Sequence, residues 1–216
     1  MLTTDILWDK ALPIIKVHLD HPFSKALANG TLSKEVFRYY LQQDAIYIKK
    51  YAEAMSILAK KAPRLEIQDI FAQLSSDSYE LEHIFQAELF KKYQVESSNL
   101  MQAGCLAYSN YLIATISTGS FIEGLTSLLP CFWVYLENGK NIAKNSQAKN
   151  PYQSWIDTYV SDEFIAQTEL VKKYVNIYSE NISPSELEKL SEIFSYSCRL
   201  DLQFMDDAFN LRKWLV

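Results

Sequence analysis

Glycine and proline are scarce, 5 and 6 in 216 residues. That leaves little turn material for an all-β fold, which needs a tight turn after every short strand. Cysteine is scarcer still. Cys105, Cys131 and Cys198 form an odd set with no CxxC spacing, which suits a reducing compartment better than a disulfide framework. Lys and Arg never run longer than a pair and the formal net charge is −5. The basic stripe that would neutralise phosphate is therefore missing, and a nucleic-acid partner is disfavoured. No stretch of 18 uninterrupted apolar residues exists to form a transmembrane helix. Met1–Asp5 carries neither the basic region nor the apolar run of an export signal. There is no Gly-rich phosphate loop, no GxSxG and no Walker pattern. The expectation is a soluble cytoplasmic protein with no nucleic-acid or membrane partner.

What is present is apolar and aromatic. Hydrophobic residues make up 49% of the chain, with 14 Tyr and 11 Phe that must line a core or a pocket. Helical periodicity dominates, and no strict strand alternation runs beyond about four residues. A first helix is expected from Thr4 to His18, with Ile6, Leu7, Ala11, Ile14 and Ile15 on one side and a kink or break at Pro13. A short segment ends at the Asn29-Gly30 turn. Ser33 should cap a long helix to about Lys61, stopped by Ala62-Pro63. Further helices are expected over Leu65–Tyr93, Asn99–Thr118, Ser120–Asn145 and Tyr152–Val160. Another is capped by Ser161 or Asp162, and a last one runs from Ser183-Pro184-Ser185 to Trp214. Loops are short and no linker or repeat stands out, so residues 1–216 read as one all-α domain of about eight helices.

Several helix faces carry more than packing residues. Tyr40, Asp44, Tyr47 and Tyr51 are spaced 0, +4, +7 and +11, which places a carboxylate within an aromatic stripe. Burying an unpaired charge is costly, so Asp44 is either half-exposed, bonded to a tyrosine hydroxyl, or functional. Cys131 and Tyr135 lie one turn apart in Leu129-Pro130-Cys131-Phe132-Trp133-Val134-Tyr135. A cysteine in an apolar run is commonly inert packing. The proline before it breaks the helical hydrogen-bond ladder, a defect that often marks a site. Asp201, Phe204 and Ala208 share a face, while Asp206 and Asp207 read as a solvated acidic face. In isolation Tyr108 and Tyr159 are ordinary core tyrosines.

Metal signals are weak. Glu80-x-x-His83 has the spacing of a carboxylate-bridged di-iron half-site, but the only other histidines are His18 and His21. Either of those two is a capping or core histidine, or an axial haem ligand on a helical fold.

Taken together, the chain resembles the TenA/thiaminase II family. The resemblance rests on His21-Pro22-Phe23, Gly30-Thr31-Leu32, Tyr40-Leu41-Gln42-Gln43-Asp44 with Tyr47, and the Pro130-Cys131 run. Trp155-Ile156 through Tyr159, Glu163-Phe164, Phe204 and Trp214 continue it in the family's order. The Gln43-Asp44 and Pro130-Cys131 runs are the specific ones. The resemblance implies an all-α, haem-oxygenase-like multi-helix bundle, a homotetramer, and no metal or cofactor. It also implies hydrolysis at the exocyclic methylene of a 4-amino-2-methylpyrimidine, with thiamin or aminomethylpyrimidine as substrate, in thiamin salvage. The family's nucleophile falls on Cys131 and its pyrimidine-binding aspartate on Asp44. Its aromatic pocket falls on Tyr47, Tyr51, Tyr108, Tyr135, Tyr159 and Phe204. The catalytic carboxylate, a glutamate in most members, falls on Asp201, one methylene shorter. Two alternatives stand beside this: a non-catalytic pyrimidine-binding or regulatory protein with the same pocket, and a haem or di-iron protein.

Overall fold

A computed structural model describes residues 1–215, and all of their side chains except those of residues 77, 78 and 80–85. Among the described residues the regular structure is helical: α1 (Thr3–Leu19), α2 (Pro22–Ala28), α3 (Lys34–Lys60), α4 (Leu65–Tyr93), α5 (Ala103–Thr118), α6 (Phe121–Asn145), α7 (Gln153–Tyr159), α8 (Asp162–Tyr178) and α9 (Pro184–Phe209). That is one more than the expected eight. Pro13 lies inside α1 without ending it.

Local chemistry sets the ends. Ser33 Oγ accepts from the Val36 N–H at 3.1 Å and Ser161 Oγ from the Phe164 N–H at 3.2 Å, each satisfying an orphan donor of a first turn. Three helices close by a left-handed residue and paired bonds back into the last turn, with Gly30 ending α2, Gln94 ending α4 and Leu211 ending α9. For α9 the Arg212 N–H reaches the Asp207 carbonyl at 2.9 Å and the Leu211 N–H the Ala208 carbonyl at 3.2 Å, so the helix stops at Phe209 and not at Trp214. The start of α5 also differs from expectation, at Ala103 instead of Asn99. There the backbone is claimed by side chains of α3. Gln42 Nε2 donates to the Glu96 carbonyl, Gln43 Nε2 donates to the Leu100 carbonyl, and Gln43 Oε1 accepts from the Gln102 N–H.

The chain divides into two compact units, each drawn from separate stretches. The first comprises Met1–Leu32 and Leu125–Leu202, so it holds α1, α2, most of α6, α7, α8 and the first part of α9. Within it, Thr4 and Asn176 join α1 to α8 through a reciprocal pair of 3.0 Å bonds. Asn150 Nδ2 donates to the Leu27 and Ala28 carbonyls and ties down the end of α2. Gly139 lets Tyr159 come against α6, since a Cβ there would sit 3.1 Å from the Tyr159 carbonyl oxygen. The second unit comprises Ser33–Gly124 and residues 203 onward. Its α3 packs on α4 and α5, and Lys61 Nζ donates to the Ile116 and Gly119 carbonyls near the end of α5. No described helix is long and apolar enough to cross a membrane.

Candidate functional site

The expected site residues fall into two groups, one in each unit. In the second unit, α3 brings Asp44, Tyr47 and Tyr51, α5 brings Tyr108 and the end of α9 brings Phe204. Tyr47 is the hub. Its ring stacks on Tyr108 at 5.0 Å between centroids and lies 5.7 Å from Tyr51 and 5.6 Å from Phe204. All five side chains are buried, including Asp44 at 5% exposure, so the half-exposed reading of that carboxylate does not hold. Gln86 Nε2 donates to Asp44 Oδ2 at 3.4 Å. Gln43, adjacent in the most specific sequence run, instead holds the 100–102 segment and accepts a weak Sγ–H contact from Cys105 on its carbonyl. Burial pushes the Cys105 thiol up to about 12, with Asp44's charge adding to the rise.

The first unit holds Cys131, Tyr135, Tyr159 and Asp201. Tyr135 and Tyr159 lie 5.1 Å apart, and Tyr159 is braced by Trp155 at 4.5 Å and Phe164 at 5.2 Å. Cys131 is half-buried, whereas Cys105 and Cys198 are buried. Pro130 sits within α6 directly before it, and a proline cannot donate to the carbonyl four residues back. Asp201 is 1% exposed. Burial raises its carboxyl above the ordinary 3.8, partly offset by the adjacent imidazole of His18. Burial and the Asp201 charge together hold the Cys198 thiol well above its usual 9.0.

His18 is a residue that the sequence reading assigned to capping, core or haem. It is 1% exposed, and its Nε2 lies 3.0 Å from Asp201 Oδ2. That is ion-pair distance, but the ring N–H points off the line of a hydrogen bond, and neither atom has a hydrogen-bond partner among the described residues. The signal was present in the spacing: the buried stripe Leu7, Ala11, Ile15 continues to His18. His21, by contrast, caps α2, its Nδ1 accepting from the Phe23 N–H at 3.2 Å. A second missed residue is Asn138. It is fully buried on the helix that carries Cys131, seven residues on, with both amide atoms unpartnered among the described residues. The reading of Asp207 as solvated is corrected. It is buried: Gln203, one turn back on α9, donates to it at 2.6 Å, and Arg212 donates at 3.0 Å because the chain turns back at Leu211.

Among the described residues no group of three or more His, Cys, Asp or Glu side chains is arranged to hold a metal ion. The Glu80 and His83 side chains lie outside those described.

Comparison with known proteins follows the same lines. The model of the TENA/THI-4/PQQC family matches residues 8–210. The chain is 29% identical over 212 residues to the thiamine biosynthesis multifunctional protein ThiED of Corynebacterium efficiens, covering 95% of this chain but 28% of that protein. It is 28% identical over 214 residues to an aminopyrimidine aminohydrolase of Halalkalibacterium halodurans, covering 96% of each. Among solved structures, a TenA homologue from P. horikoshii OT3 superposes with a TM-score of 0.89 at 27% identity, over 97% of this chain and 99% of that one. A domain with a heme oxygenase-like fold from Shewanella denitrificans gives 0.75 at 14% identity, over 98% and 93%. The all-α, haem-oxygenase-like multi-helix fold is thereby established.

Proposed function

Because the chain belongs to the TENA/THI-4/PQQC family, we propose that it is a hydrolase of the aminopyrimidine aminohydrolase or thiaminase II type. In this reading it releases 4-amino-5-hydroxymethyl-2-methylpyrimidine from the aminomethyl analogue or from thiamin, in thiamin salvage. The observation that carries the reading is the buried carboxylate Asp44 on α3, the helix whose Tyr47 and Tyr51 pack with Tyr108 and Phe204. A flat, apolar-faced heterocycle bearing an amino group matches those parts. Asp44 accepts hydrogen bonds from the 4-amino group and orients the ring, a charge-assisted contact. The aromatic faces stack on the ring and exclude water.

The chemistry assigns the other group. A methylene on an aromatic ring is hard to displace directly. Addition of the Cys131 thiolate to the adjacent ring carbon breaks aromaticity, and the ring electrons then expel the leaving group. Asp201 delivers a proton to a ring nitrogen as charge develops there. Water adds at the methylene and its proton passes to the departed leaving group, the C–S bond breaks to release the thiolate and restore the aromatic ring, and the ring-nitrogen proton returns to Asp201. Tyr135 and Tyr159 complete the aromatic lining. Cys131 suits the nucleophile because it is the one thiol of the three that is not buried. The names of full-length relatives favour turnover over the non-catalytic alternative.

The deciding experiment is a product assay with aminomethylpyrimidine and thiamin on the wild type, Cys131→Ser and Asp44→Asn. Hydroxymethylpyrimidine release by the wild type, lost in Cys131→Ser and reduced through KM in Asp44→Asn, is expected. Full activity in Cys131→Ser would sink the mechanism.

A further inference from the structure

Asp201 is one methylene shorter than the residue most members of the resembling family carry, and it is buried beyond the reach of solvent. A general acid in that position needs two things from its surroundings: a fixed carboxyl orientation and a route for its proton. The structure offers one group for both. His18 Nε2 lies 3.0 Å from Asp201 Oδ2, and both residues are 1% exposed. The imidazole is placed by α1, where it ends the buried stripe of Thr4, Leu7, Ala11 and Ile15. Its ring meets Tyr135 edge-on at 6.2 Å. Cys198, one turn earlier on α9, is held neutral by burial.

We propose that His18 is the positioning residue of Asp201, fixing its carboxyl and sharing its proton during turnover. The inference rests on the reading of Asp201 as the proton-delivering group. In that reading Asp201 begins turnover protonated, so the pair carries the one proton that the reaction moves. When Asp201 gives its proton to the ring nitrogen, the imidazole N–H is the nearest donor to the carboxylate left behind. When the thiolate departs, the ring nitrogen returns its proton to Asp201. No bond other than O–H and N–H changes in the pair, and no outside reagent is needed. In the resting structure Nε2 and Oδ2 stand 3.0 Å apart without hydrogen-bond alignment, so the bond forms by reorientation of the ring and not by its approach.

Two substitutions separate positioning from proton sharing. His18→Gln keeps an N–H donor near the Nε2 position but cannot take up and return a proton; His18→Leu keeps bulk and removes both. The kinetic arm measures kcat, KM and the pH profile of hydroxymethylpyrimidine release. The binding-independent arm follows the Asp201 carboxyl by 13C NMR across pH in the wild type and both variants. In His18→Leu, kcat should fall by about tenfold or more with KM little changed, and the Asp201 titration should move to higher pH as the adjacent imidazole that opposes its rise is lost. His18→Gln should recover part of kcat without restoring the titration. An unchanged Asp201 titration in His18→Leu, or unchanged kcat and pH profile there, overturns the proposal. If the wild type releases no hydroxymethylpyrimidine, the functional reading fails, and the NMR arm still decides whether His18 governs Asp201.

Discussion

A thiol attacks as thiolate, and burial in apolar surroundings withholds that form. Cys105, pushed to about 12, and Cys198, pushed well above 9.0, are therefore inert at neutral pH, while Cys131 is half-buried. Brief treatment of the folded protein with iodoacetamide, read by peptide mass spectrometry, should modify Cys131 first; equal labelling of Cys105 would contradict this. Asp201 makes a second residue-scale prediction. Its carboxyl holds its proton in the fold at pH values where the unfolded chain has released it. The folded state then binds more protons, so this group's contribution to stability is full below about 3.8 and is lost as the pH rises through its raised value. Asp201→Asn cannot ionise and should remove that decline. Urea midpoints taken from pH 4 to 7 should fall less with pH in the variant than in the wild type.

At the scale of elements, caps and close approaches decide where helices stop and how near they come. Ser33→Ala leaves the Val36 N–H without its acceptor and should cost about 1 kcal/mol. In a chain of this size that is a fall in Tm of roughly 2–4 °C by differential scanning calorimetry. Gly139 presents the sharper case. A methyl group there would meet Tyr159 Cβ at 3.0 Å and its carbonyl oxygen at 3.1 Å, and backbone cannot move aside as a flexible side chain can. Gly139→Ala should cost about 1–3 kcal/mol by overpacking and also lower activity by displacing Tyr159. Activity retained at full level in a destabilised Gly139→Ala would place Tyr159 outside the site.

At the scale of the whole molecule, neither unit is a continuous stretch of chain. The boundary passes through α6 between Gly124 and Leu125 and through α9 between Leu202 and Gln203. A helix broken at such a point loses its hydrogen bonds on both sides, which opposes independent unfolding. We expect one cooperative transition in urea. Tryptophan fluorescence comes mainly from the first unit, through Trp8, Trp133 and Trp155, while far-UV circular dichroism reports all the helices. Coincident midpoints are the expected result; separated ones would show two folding domains where the sequence reads as one.

The sequence by itself determined the helical class, most helix boundaries and the family, because periodicity, capping serines and the Asn29-Gly30 turn act within a few residues of chain. It also marked Asp44 as a carboxylate out of place on an aromatic face, while Cys131 drew notice through the proline before it and the family resemblance. Where long-range partners compete for the backbone, local signals failed. The start of α5 is set by Gln42 and Gln43 from another helix, and the burial of Asp207 follows from the reversal at Leu211. Only the tertiary structure decided the partner of Asp201. His18 is 183 positions away in the chain. Spacing could place it on a buried stripe, but no local pattern reports which charge will face it once both leave water.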